Sequence, residues 1–386
     1  MKSQIYLRFV VLALVAGFYQ AMAQPVISSF SQNGALVCTN LSPGSLASVV
    51  WASSLEGPWF TYTKGLNAIM VSSNGTIQVN IPLNNQGATF YRVLGVTAFN
   101  PLTGMALVPA GSFTMGDTLL DAYPDAPTTN VYISAFYMDT NLVDYTQWQS
   151  VYNYAITNNY SFDDTGLAKN NATNQPIQTV NWYDAAKWCN ARSQQAGLNP
   201  VYYTDFAMTQ IYTNGDTDLV YPNWSANGYR LPTEAEWEKA ARGGLNGQRF
   251  PWGDTISENQ ANYEAETNLF TYDLGPYNGY NTNFDEGGVQ PYTSPVGYFP
   301  ANGYGLNDMS GNLLEWCWDW YDNTPPSDGY GQPSTNNPTG TTAGTYRVLR
   351  GGFWGYIAYI AECAARDSGS PGTSDNNIGF RYVKGH

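Results

Sequence analysis

After residue 104, helical spacing of apolar residues appears in only three short places, and this scarcity limits the fold more than any other feature. Asp144-x-x-Gln147 has the form of a capping box, and Trp148, Val151, Tyr152 and Ala155 repeat behind it at helical intervals. Trp182, Ala185, Ala186 and Cys189 mark a second helix that ends near Gly197. Thr233-x-x-Glu236, preceded by Pro232, opens a third, with Trp237, Ala240 and Ala241 on one face and Gly243 as its stop. The connections are rich in Gly, Pro, Asn and Tyr. Neither βαβ alternation nor a Gly-rich phosphate loop occurs, so the chain reads as an irregular, loop-rich α+β domain without a nucleotide site.

Residues 24–98 read differently. Short strand-like runs at 35–38, 48–52, 60–62, 77–81 and 89–96 alternate with Gly-, Pro- and Asn-rich turns, the spacing of a small all-β sandwich. The stretch from Val50-Trp51-Ala52 to Pro58-Trp59, followed by Phe90-Tyr91-Arg92-Val93, resembles small fibronectin-like modules of exported bacterial proteins, which implies a spacer or adhesion role. Residues 99–104, with Asn100-Pro101, form a linker, and the larger domain runs over 105–386. At the start, Lys2 and Arg8 precede an apolar run from Phe9 to Phe18, and Ala21-Met22-Ala23 supplies small residues for cleavage. Residues 1–23 therefore read as a signal peptide cut after Ala23. That run is too short to span ~30 Å of hydrocarbon, and no second run is longer. The expectation is a secreted or periplasmic, cell-envelope protein with no membrane span.

Charge and side-chain chemistry exclude several functions. Thirty Asp and Glu against 16 Lys and Arg give a net charge of −14, and the scattered cations offer nothing to release counterions from a nucleic acid. Aromatic residues make up 15% of the chain, ample material for a packed core. There is one His, His386, and four Cys, at 38, 189, 317 and 363. A Ser-His-Asp triad, a three-imidazole iron site and a His-rich zinc site all lack their central residue. Four Cys in a chain of this length do not make a disulfide scaffold.

A series of collinear blocks then points to one family. Residues 105–116 (Met-Ala-Leu-Val-Pro-Ala-Gly-Ser-Phe-Thr-Met-Gly) open it, followed by blocks at 135–139 and 178–185. Arg230-Leu231-Pro232-Thr233-Glu234-Ala235-Glu236-Trp237-Glu238, Phe250-Pro251-Trp252-Gly253 and Gly303-Tyr304-Gly305-Leu306-Asn307-Asp308-Met309-Ser310-Gly311-Asn312 leading to Glu315-Trp316 continue it. Arg347 to Gly351-Gly352, Cys363-Ala364-Ala365-Arg366 and Ile378-Gly379-Phe380-Arg381 close it. This pattern over about 105–383 resembles the formylglycine-generating enzyme, or sulfatase-modifying factor, family. The resemblance implies a compact fold distantly related to C-type lectins with loops pinned by calcium. It also implies, for active members, copper-dependent oxidation of a substrate cysteine by oxygen, through two thiolates that suit copper(I).

The copper pair is missing from the corresponding positions. The first of the family's cysteines falls four residues past Gly351-Gly352, at Tyr356. The second falls at Ala361 counted from that pair, or at Ala358 counted back from Cys363, because 353–362 is three residues shorter than the family pattern. No catalytic residue is assigned, and copper is not expected. The resemblance also implies disulfide partners for Cys363 and Cys189 at positions that here hold Ala241 and Tyr382, so both read as buried free thiols. Cys317, between Trp316 and Trp318, reads as core. The related iron-dependent sulfoxide synthases need histidines that this chain lacks.

For calcium, the resemblance implies Asp308 and Glu315 with backbone oxygens of Gly311 and Leu313, and a second set of Asn262, Tyr263 and Asp285. Read from the residues alone, Asp308 and Asn312 are turn formers and Glu315 is a partner for Arg. Arg230, Arg242, Arg347, Arg366 and Arg381 are expected to pair with carboxylates beneath the loops. Aromatic residues in the Gly- and Asn-rich segments, among them Tyr277, Tyr280, Tyr298, Trp354 and Tyr356, suit an extended peptide or a glycan as well as loop core. Two functional classes follow: a binding or structural module without copper oxidase activity, or a formylglycine-type oxidoreductase using a relocated site.

Overall fold

The computed structural model describes residues 26–31, 35–40, 46–52, 60–61, 69–70, 72, 76–80, 90–95, 102–119, 125–285, 287–322 and 335–385. The leader stretch 1–23, residues 99–101 of the linker and His386 lie outside them. The chain divides into two compact units, Met1–Thr103 and Gly104–His386.

In the first unit, Ala35–Thr39 pairs with Val26–Phe30 and with Ile77–Asn80, both antiparallel. A second antiparallel sheet is centred on Leu46–Ala52, which pairs with Phe90–Gly95 along six residue pairs and with the short strands Phe60–Thr61 and Ile69–Met70. Leu36, Cys38, Val49 and Ile77 are buried. Alternate burial along Ala35–Thr39 follows from the two-residue period of a strand.

The second unit is loop-rich, with three α-helices among its described residues. Helix α1 (Tyr145–Thr157) starts at Asp144, whose carboxylate accepts the Gln147 N–H at 2.7 Å. The expected reciprocal half of that capping box does not form: Gln147 turns away to donate to Asp139 at 3.0 Å and to the Tyr382 hydroxyl at 3.3 Å. A fully buried carboxylate needs every donor within reach, and the Gln147 amide joins the Tyr382 hydroxyl in serving Asp139. Helix α2 (Trp182–Gln195) is capped by Asn181 and ends before Gly197, at φ +69°. Helix α3 (Glu234–Ala241) has the full capping box between Thr233 and Glu236, and Gly243 follows at φ +57°.

Two four-stranded sheets frame these helices. Phe136–Asp139 lies between Met105–Val108 and Val383–Gly385, with Tyr229–Arg230 beyond, all antiparallel. Leu314–Trp320 lies between Arg347–Arg350 and the parallel Ile378–Gly379, with Asp367–Gly369 on the outer side. Every residue of Leu314–Trp320 is buried, as expected of a strand covered on both faces. Trp148 stacks on Trp188 at 6.1 Å, and Phe380 meets both edge-on, which locks α1 to α2. Helix α3 is buried along its whole length, polar residues included. Among the described residues no helix is long and apolar enough to cross a membrane.

Candidate functional site

The loop 353–362 is the position where the family pattern requires two thiolates. Trp354 N–H donates to Asn312 O, and Glu264 N–H donates to Tyr356 O, so the loop is tied to two neighbouring segments. Ala358–Ala361 then makes one 3₁₀ turn, held by the Ser310 hydroxyl on Ala361 O at 2.7 Å. Ala358 and Ala361 are fully enclosed with Phe250, Ile256 and Tyr263. Tyr356 packs on Phe353 with ring centroids 4.2 Å apart, and its hydroxyl hydrogen-bonds the Asp367 carboxylate. Burial, followed by the adjacent Asp367 charge, pushes the Tyr356 phenol up to about 12. This stretch presents an aromatic ring and methyl groups, which offer copper(I) no soft ligand.

The four cysteines are free and buried. Cys363 shares an apolar cluster with Ala241, and Cys189 shares one with Tyr382. Thus each pair of positions that the resemblance implies shares one buried cluster, with a methyl and a phenol in place of the partner sulfurs. Burial raises all four thiols, Cys363 to about 12. They are protonated at neutral pH and are poor nucleophiles and ligands.

The residues implied for calcium fall into two situations. Asp308 is buried at φ +56°; its Oδ2 accepts the Gly297 N–H at 2.9 Å, and its Oδ1 has no hydrogen-bond partner among the described residues. Burial holds its carboxyl up at about 6 despite Arg381 nearby. Asn141 Oδ1, likewise unpartnered, lies 2.9 Å from where a Cβ on Gly297 would stand. Asn262 is the same kind of residue: its amide donates to Tyr292 O at 2.8 Å while its buried Oδ1 has no partner. Asn262 also bridges to Gly311, which has φ +78°; a Cβ there would stand 2.2 Å from Asn262 O. These orphaned oxygens fit a hard cation.

Glu315 does not fit that role. Arg381 donates to both of its oxygens, each at 2.7 Å, and Trp237 Nε1 adds a third bond at 2.9 Å, all fully buried. Its charge is met by a guanidinium, and three of its roughly four lone-pair sites are taken by Arg381 and Trp237. Asp285 is exposed and accepts the Gly288 N–H, while the Tyr263 hydroxyl donates to Asp273 at 2.5 Å. Gly311 and Leu313 are buried beside the Asp308 turn, at the start of Leu314–Trp320.

The arginines pair as expected with one exception. Arg230 meets Glu236, Arg242 meets Glu238, Arg366 meets Glu234 and Arg381 meets Glu315. Arg347 instead lies between the rings of Trp182 and Trp320, 3.6 and 3.5 Å from their centroids, with no ion pair among the described residues. Burial brings it down to about 9. Indole faces replace the expected carboxylate as its electrostatic partner. Most of the loop aromatics turn inward: Tyr280, Tyr292 and Trp354 pack together, whereas Tyr277 and Tyr298 are exposed.

Asp139 supplies a pH test. Burial raises its carboxyl to about 6, against the Gln147 and Tyr382 hydrogen bonds that favour its charge. A folded-state value above the unfolded one means that its contribution is fully present below about 4 and is lost as pH rises through about 6. Asp139→Asn should therefore flatten the fall in stability between those pH values by roughly 2 kcal/mol, read from urea unfolding at stepped pH. An unchanged slope would show that Asp139 ionises normally in the fold.

With this geometry in place, the comparisons with known proteins are specific. The model of the sulfatase-modifying factor enzyme 1-like domain matches residues 92–386. The chain belongs to that family. The formylglycine-generating enzyme of Bos taurus is 32% identical over 302 residues, covering 74% of this chain and 76% of its own. The chaperone protein LppX of Paenibacillus barcinonensis is 32% identical over 281 residues, covering 71% of this chain and 84% of its own. Among solved structures, Treponema denticola variable protein 1 aligns with a TM-score of 0.54 at 26% identity, over 79% of this chain and 98% of its own. PvdO from Pseudomonas aeruginosa, at 24% identity and a TM-score of 0.50 over 73% of this chain and 94% of its own, shares the fold. The sulfatase-modifying-factor domain thus stands, and the question left is what its altered loop can do.

The fold also assembles groups that no sequence motif announced. Glu234, Glu238 and Arg350 meet beneath α3, and a groove of about 390 Å³ opens beside Gly111–Met115 and the C-terminal end of α3. Both join segments far apart in the chain, so local spacing carried no signal of them.

Proposed function

We propose that this chain is an exported member of the sulfatase-modifying-factor family that lacks copper oxidase activity and serves as a binding module for an extended peptide or a glycan. The observation that carries this reading is the loop 353–362, where Tyr356, Ala358 and Ala361 stand in place of thiolates, the two alanines buried in the core and the tyrosine half-buried against it. Family membership does not by itself assign the oxidation, since one relative bears the name of a chaperone. A relocated copper site built on thiolates would draw on Cys38, Cys189, Cys317 and Cys363, and all four are buried with raised pKa.

Calcium is structural in this reading. Asp308 and Asn262, one from each implied set, carry buried oxygens without a partner among the described residues, and Glu315 is left to Arg381. Such an ion supplies charge compensation to a buried carboxylate and no redox chemistry. The implied lectin kinship belongs to the glycan arm of the proposal, and a glycan array at saturating calcium separates that arm from the peptide arm.

The test is enzymatic. Purified protein incubated with copper, oxygen and a Cys-x-Pro-x-Arg peptide should yield no aldehyde by mass spectrometry. Turnover comparable with an active family member would sink the proposal.

A further inference from the structure

Carboxylates neutralise most buried cations of the larger unit, but not Lys239. It is 5% exposed and has no ion pair among the described residues. Its ammonium donates to Gly111 O at 2.8 Å and to Ile133 O at 3.4 Å. An ammonium has three N–H bonds, so two carbonyls leave one unused. Burial lowers its pKa, the mark of a charge held without compensation. A neutral amide could bridge the two carbonyls at lower desolvation cost, which leaves the charge itself to be explained.

Lys239 lines the groove of about 390 Å³, and no Asp or Glu shares its walls among the described residues. In a chain of net charge −14, this is a local reversal of sign. One wall is the strand Gly111–Met115, of which Gly111, Ser112, Phe113 and Thr114 contribute atoms to the lining. Among the described residues that strand pairs on one side only, with Thr129–Ile133, whose far side is taken at Tyr132 by residues 335–337. Gly111–Met115 is therefore a sheet edge, able to offer backbone N–H and C=O groups to an extended chain. Tyr304 is also on the wall, and its hydroxyl bonds no described residue.

We propose that this groove binds an extended peptide through a carboxylate, with Lys239 as counter-ion, Ser112 and Tyr304 as hydroxyl partners and Gly111–Met115 as the strand to which the peptide adds. The proposal deepens the peptide-binding reading and rests on it. The loop 353–362 takes no part, so the aldehyde assay and the groove can fail separately.

The experiment uses the full chain and fluorescein-labelled Thr-Val-Thr-Val-Thr, prepared with a free C-terminal carboxylate or as the C-terminal amide, followed by fluorescence anisotropy. The acid should bind about tenfold more tightly than the amide, the effect of one charge-assisted contact. Lys239→Met should erase that preference and Lys239→Arg should keep it. Should Lys239→Met not fold, Ser112→Glu decides: the position is exposed, so circular dichroism and Tm should hold while acid binding drops about tenfold by like-charge repulsion. Equal binding of acid and amide, or undiminished acid binding by folded Ser112→Glu, would overturn the site. Displacement of the peptide by free glucuronate at equal concentration would overturn the peptide assignment.

Discussion

Glu238→Ala should cost the larger unit about 3–5 kcal/mol, a large fraction of the ~5–15 kcal/mol that holds an ordinary domain folded. Glu238 is fully buried and accepts the Gly116 N–H at 2.8 Å, Arg242 through Nε at 3.0 Å and Nη2 at 2.8 Å, and Arg350 Nη2 at 2.5 Å. Arg350 is also 3.5 Å from Glu234, which takes a two-pronged contact from Arg366 at 2.7 and 3.0 Å. Removal of Glu238 takes away the carboxylate that Arg242 pairs with and leaves Arg350 to share Glu234 with Arg366. The cost is that of uncompensated charge, far above the net value of a surface pair. Glu238→Gln keeps the shape and should fall between wild type and Ala. Urea unfolding followed by Trp fluorescence is a suitable readout, since only Trp51 and Trp59 of twelve Trp lie in the first unit. A loss below about 1 kcal/mol would mean that the cluster is solvated and that the buried network is wrongly described.

The second large effect separates an arginine partner from a calcium ligand. Glu315→Ala should also cost about 3–5 kcal/mol, because Arg381 and the Trp237 indole both lose a fully buried acceptor. The loss should be the same with excess calcium and with a chelator. Replacing both members, Glu315→Leu with Arg381→Met, should recover a large part of it, since apolar packing substitutes for a buried pair. Asp308→Ala should behave oppositely, costing more in calcium than in chelator, because its Oδ1 is the unpartnered atom. A calcium-dependent loss at Glu315 would restore it to the ligand set that the family resemblance implies.

What could be read in advance was local in sequence. Helix starts were legible because a cap and its N3 partner are three residues apart, and both Thr233 and Asp144 cap as their spacing suggested. Gln147 shows the limit of that logic, since its side chain was taken by Asp139 and Tyr382, the latter 235 residues away. The vacancy in the copper pair was legible too, being a matter of residue identity at Tyr356, Ala358 and Ala361. Which acid each arginine meets was not, because the pairs span up to 132 residues. Arg347 went furthest astray: counting carboxylates could not foresee two indoles arriving from α2 and Leu314–Trp320. The Lys239 groove was hidden for the same reason, being made where a strand edge meets a helix end.

The central claim is that the family scaffold persists here without its copper-binding thiolate pair, and copper(I) binding tests it most directly. Anaerobic titration of the folded protein with copper(I) against a chromophoric chelator of matched affinity should show no stoichiometric transfer of metal from the chelator. Uptake of one equivalent by the native protein, lost on alkylation of Cys189, Cys317 or Cys363, would contradict it.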